Sequence, residues 1–112
     1  MADLLSSKGK QRGMEGIKAE IASILLLEAS GAVIDTVAIT GKSFDVSGAG
    51  GQLDNNTAID FTIAAADVGK TASIVALYDS VAEMLRVDLE TTIPLTTEGT
   101  ATIAIGDFTA DL

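Results

Sequence analysis

Asp67-Val68-Gly69-Lys70-Thr71 closes with the Gly-Lys-Thr of a phosphate-binding loop. In such a loop, backbone N–H groups wrap the phosphates and the lysine reaches the outer ones. The wrap needs another glycine five residues before Gly69, and that position holds Ala64. The segment also leads into an apolar, β-branched run rather than a helix, so it reads as a turn in which Gly69 supplies a positive φ. Ser7-Lys8-Gly9-Lys10 has the Ser-x-x-Lys spacing of some hydrolases, but the companion motifs are missing. A glycine-containing terminal segment does not hold a nucleophile to within about half an ångström. Asp79-Ser80 has no histidine anywhere in the chain to complete a triad.

Sixteen carboxylates suffice in number for a glycosidase pair. That mechanism also calls for a cleft and aromatic platforms, whereas the aromatic residues are Phe44, Phe61, Tyr78 and Phe108, at least two of them at core-like positions. The run Gly48-Ala49-Gly50-Gly51-Gln52-Leu53-Asp54 has the composition of a calcium-binding repeat in a single copy, without the stacked neighbours that complete such a site. With no histidine, cysteine or tryptophan, the chain is expected to be no enzyme and to hold no cofactor or metal. Nucleic-acid binding is not expected of so acidic a chain, and neither is a membrane span, because no stretch approaches roughly 18 consecutive apolar residues.

The elements that carry these residues follow from their periodicity. Met14, Ile17, Ile21 and Leu25 recur at helical spacing, which predicts a short helix over roughly residues 13 to 22, weakened by Gly13 and Gly16. Residues 1 to 12 read as a mobile arm. Beyond residue 23 the pattern becomes strand-like. Ile24–Glu28 and Ala32–Ile39 flank Ala29-Ser30-Gly31 as a hairpin, and Phe44–Ser47 is a short strand. Residues 47 to 52 read as a flexible loop and Asp54-Asn55-Asn56 as a turn. Ile59, Phe61 and Ile63 alternate with polar residues, as do Leu85, Val87 and Leu89, and Ile103, Ile105 and Phe108 close the set; all nine are predicted to lie in the core. Ala72–Tyr78 is apolar on both faces, as in a central strand or in one whose outer face is covered by the arm or a partner. Pro94 marks an edge or a break in pairing. About eight short strands without intervening helices predict a mainly β, antiparallel β-sandwich. The expected organisation is an arm and short helix over residues 1–22 and the sandwich over 23–112.

Charge divides along the same boundary. Lys8, Lys10, Arg12 and Lys18 outnumber Asp3 and Glu15 to give the first eighteen residues +2, while fourteen carboxylates against Lys42, Lys70 and Arg86 give the remainder −11. The apolar run Ile24 to Leu27 is too short, and too closely flanked by glutamates, for a secretory signal, so the chain is expected to start near Met1. A chain of 11.4 kDa without cysteine has one modest core and no disulfides. It is expected to gain stability by oligomerising or docking.

Asn55 to Phe61, Gly69-Lys70 leading into Ile74 to Asp79, Leu89 to Thr92 with Pro94, and Gly99 to Ile105 with Gly106-Asp107-Phe108 together resemble small structural proteins of tailed bacteriophages. Some of these are capsid decoration or cement proteins and others are tail-fibre proteins. The resemblance covers about residues 50 to 112. It implies a jelly-roll-like sandwich on the capsid exterior of the virion, bound to the major capsid protein and stapling capsomers at local symmetry axes. Because a small core gains stability from whatever binds its folded state, the protein is expected to be monomeric or weakly oligomeric in solution and a stable dimer or trimer only on the shell. A tail or tail-fibre component and a small carbohydrate-binding module are the alternatives. Within the cement role, residues 1 to 18 are expected to anchor the protein. Lys8, Lys10, Arg12 and Lys18 would supply the electrostatic part, and Met14, Ile17 and Ile21 the apolar part, in a groove of the shell.

Overall fold

The computed structural model describes residues 7–47 and 51–111. The tip of the expected loop at 48–50, the first half of the expected arm and Leu112 lie outside the described residues. Helix α1 spans Ser7–Glu20, starting six residues earlier than the apolar spacing predicts. Lys8, Lys10 and Arg12 are therefore helical rather than part of a mobile arm. The three glycines in that stretch disfavour an isolated helix, and its stability comes from the surface beneath it.

Nine strands follow among the described residues. They are β1 (Ser23–Leu27), β2 (Val33–Ala38), β3 (Phe44–Val46), β4 (Gln52–Asn55), β5 (Ile59–Ile63), β6 (Thr71–Tyr78), β7 (Glu83–Pro94), β8 (Gly99–Ile103) and β9 (Thr109–Asp111). They form antiparallel sheets of order β2-β1-β6-β7, β3-β4-β9 and β5-β8. The molecule is mainly β and β-sandwich-like. One apolar core joins Ile24, Leu26, Val75 and Leu77 of the first sheet to Phe44, Leu53 and Ala110 of the second and Ile59, Phe61, Ile63 and Ile103 of the third. Inside it, Phe44 and Phe108 meet edge to face at 5.7 Å.

The β1–β2 hairpin forms as its sequence predicts, with Gly31 at φ 91° in the turn. Strand β6 is central, between β1 and β7, and its second face is also buried: Ile74 and Ala76 cluster with Leu25, Leu27 and Tyr78. Asp79 closes the β6–β7 turn, its carboxylate accepting from the N–H groups of Val81 and Ala82 at 2.6 Å each. Strand β7 runs on through Pro94, which pairs with Thr71 on this edge strand. The break in pairing comes earlier. Ala72 faces Ile93 and Ile74 faces Asp88, so Leu89 to Thr92 bulge opposite Ser73 alone.

Two expectations are corrected. Asp54 and Asn55 do not form a turn but end strand β4, because Leu53 and Asn55 point into the core while Asp54 faces outward. Asn55 tolerates burial because its amide is fully used. Nδ2 donates to the carbonyls of Thr57 and Ala104 at 2.9 Å each, and Oδ1 accepts from the N–H groups of Gly106 at 3.1 Å and Phe108 at 3.0 Å. Capture of Ala104 and Gly106, the latter at φ 82°, turns the chain after β8. Ile105 is thereby carried out to 67% exposure instead of entering the core. Of the other predicted core residues, Leu85, Val87 and Leu89 are half-buried against the core and the remaining five are buried.

Candidate docking surface

Helix α1 lies across β3, β4 and the 3-10 turn Gly41–Ser43. Two glycines permit this contact. A Cβ at Gly41 would overlap the carbonyl oxygen of Lys18, and one at Gly51 would fall 2.6 Å from the carbonyl carbon and oxygen of Lys10. The helix is thus seated by backbone-to-backbone contact near both ends, closer than any side chain allows. Between these points Met14 is fully buried, Ile21 is buried and Ile17 packs against the same core.

This placement divides the seven expected anchoring residues. Met14 and Ile21 belong to the protein's own core and cannot at the same time fill a groove on a shell, so the apolar part of the expected anchor is corrected. Ile17 is partly committed in the same way. The helix and strands share one core, so residues 7–22 are packed as part of the sandwich. Lys8 and Arg12 are exposed, while Lys10 and Lys18 are half-buried. Lys18 also lines an open cleft of about 740 Å³ between the helix and the Gly41–Ser43 turn, with Glu15, Lys42 and Asp45. Both signs of charge meet in that cleft.

The remaining polar features are structural in character. Gly69 takes φ 97°, as a turn requires. The Lys70 ammonium bonds the Asp67 carboxylate at 2.8 Å, while the Gly69 N–H donates to the Leu95 carbonyl at 2.7 Å and the Leu95 N–H to the Lys70 carbonyl at 2.9 Å. On the outer face of β4, Asp54 stands opposite Asp45 and near Asp111. Burial, then the charges of Asp111 and Asp45, push its carboxyl above the usual carboxylate range, and its Oδ1 is buried without a hydrogen-bond partner. Among the described residues no group of three acidic side chains is arranged to hold a metal ion, and no helix is long and apolar enough to cross a membrane.

A second cavity, about 430 Å³, opens between the bulged part of β7 and the β8–β9 region, lined by Val87, Leu89, Ile93, Ile103 and Phe108. Sequence reasoning did not find this opening. Its cause is the mismatch of residues 89–92 against Ser73, and alternation alone does not reveal a four-residue bulge. Comparison of the chain with protein-family models, with curated proteins and with solved structures finds no match.

Proposed function

We propose that the protein is a structural component of a bacteriophage virion that decorates and stabilises the capsid exterior, binding the major capsid protein and acting without catalysis. The observation that carries this reading is the resemblance over residues 50 to 112. The segments that carry it fall on β5, β6, β7, β8 and the turn that Asn55 holds. The separation of charge supports it. Lys8 and Arg12 sit exposed on α1, at one side of a body whose remaining surface is rich in carboxylates. A basic patch draws such a protein to an acidic site on a shell, while the acidic remainder keeps decorated particles apart.

The carbohydrate-binding alternative needs aromatic side chains exposed as a platform. Phe44, Phe61 and Phe108 are buried, which leaves the half-buried Tyr78 alone. Co-sedimentation of purified protein with undecorated particles tests the proposal. Saturable binding at a fixed number of copies per shell is expected, and failure to bind capsids from any host that carries the gene would overturn it.

A further inference from the structure

Strand β7 is an edge strand. One side pairs with β6, and no described strand pairs with the other. Up to the first residue of its bulge the strand reads Leu85-Arg86-Val87-Asp88-Leu89. Val87 lies opposite the core residue Val75, and Arg86 opposite Ala76 of the outer face. Leu85, Val87 and Leu89 thus face inward and are only half-buried, while Arg86 and Asp88 face outward and are exposed.

This pattern is its own complement in one register. An antiparallel two-fold pair centred on Val87 sets Val87 against the partner's Val87, Leu85 against the partner's Leu89, and Arg86 against the partner's Asp88, the last two contacts each occurring twice. Opposite charges directly across an antiparallel pair attract and like charges repel, so a shift of register that faces acid with acid is disfavoured. In the single chain, Arg86 Nε donates to Glu83 at 2.8 Å and the side chain stays 44% exposed, which leaves room for a second carboxylate. No other described edge strand has this property. β2, β3, β5 and β9 carry Asp35, Asp45, Asp60 and Asp111 without a cation, and β8 carries no charge. In a chain of net charge −9, those edges repel their own copies or offer them no charged contact.

We propose that the β7 edge is a homodimerisation surface, through which two copies join their four-stranded sheets across a two-fold axis at Val87. The partner is a second copy of this chain. The surface is a property of the chain itself and stands whether or not the protein decorates a shell. The bulge that begins at Leu89 limits the pairing to a short stretch, so the dimer is weak in dilute solution and favoured where copies are held close together.

Because the chain has no cysteine, Val87→Cys places one thiol on the proposed axis, where an antiparallel pair brings it to its own copy at disulfide distance. Under mild oxidation, this variant is expected to form a covalent dimer at least tenfold faster than Val81→Cys, whose position in the adjacent turn is 88% exposed. On the Val87→Cys background, Arg86→Asp or Asp88→Arg alone should slow cross-linking several-fold, and the two together should restore it. If Val87→Cys perturbs the fold by circular dichroism, a mixture of Leu85→Cys and Leu89→Cys proteins replaces it and should yield the mixed dimer in preference to either self-dimer. Cross-linking no faster than the Val81→Cys control, or a double charge swap no better than the single changes, would overturn the proposal.

Discussion

Gly41 lies so close beneath Lys18 that a side chain at position 41 would overlap the Lys18 carbonyl oxygen. With the matching approach of Gly51 to Lys10, this contact makes the N-terminal helix a part of the sandwich rather than an appendage. Gly41→Ala should lift the C-terminal end of α1 and lower stability by about 2 kcal/mol through overpacking. Gly51→Ala adds strain at φ 68° and should cost at least as much. Urea denaturation of each variant checks this. By contrast, Gly16→Ala, which meets no neighbouring atom, should be neutral or stabilising.

Met14 is the largest fully buried side chain that the helix contributes. Met14→Ala is expected to cost about 3 kcal/mol. Removal of residues 1–18 should leave a protein without a cooperative thermal transition, since it strips the core along with the basic residues. A truncated chain that melts like the full one would show that the helix is dispensable.

Asn55 ties β4 to the turns on either side of it through four side-chain hydrogen bonds. Asn55→Ala leaves the buried Phe108 N–H without its partner and frees the carbonyls of Thr57 and Ala104, while Gly106 keeps its 3.0 Å bond to the Asn55 backbone carbonyl. It should destabilise by about 1–3 kcal/mol. Asn55→Asp should be no better, because a carboxylate oxygen would then face the carbonyls of Thr57 and Ala104. Amide exchange should accelerate first at Phe108, whose N–H donates to the Asn55 side chain.

Two aspartates give opposite pH signatures. The Asp54 carboxyl titrates above the usual range, chiefly because of burial, so its ionisation opposes folding at neutral pH. That penalty disappears as the pH falls below about 4, where the group is protonated in both states. Asp54→Asn should therefore stabilise at pH 7 and have little effect in acid. Asp79 is held below the usual range by the N–H groups of Ala82 and Val81. The stability it contributes is present above about pH 4 and is lost as the pH falls through its lower folded value. Thermal melts of Asp54→Asn and Asp79→Ala from pH 3 to 7 should show their differences from the parent diverging in opposite directions as the pH rises.

Strict alternation made β5 and much of β7 legible, and a doubly apolar run marked β6 as covered on both faces, though not whether by neighbouring strands, the arm or a partner. Local composition misled at Asp54-Asn55-Asn56, where turn-forming residues end a strand because a distant segment, residues 104 to 108, satisfies the Asn55 amide. It misled again at Ile105, whose alternation continues past the point where that capture turns the chain. The helix start was lost for a related reason: glycine and lysine carry no apolar period, and the contacts that hold Lys10 come from Gly51, forty-one positions away. The basic residues proposed as an anchor were singled out by charge alone. Their apolar companions were misassigned because a helical stripe does not show whether its groove lies in the same chain or in another.

The most direct test of the proposed decoration role is co-sedimentation with undecorated capsids as a function of salt, comparing the parent with Lys8→Glu/Arg12→Glu. Both substituted positions are exposed, so the variant should remain folded. The parent is expected to saturate the shell at low salt and to weaken as salt screens the contact, whereas the variant should bind at least tenfold more weakly at low salt and converge toward the parent at high salt. Equal binding of the two proteins at every salt concentration would contradict docking through the basic face of α1, and absence of binding by the parent would contradict the decoration role itself.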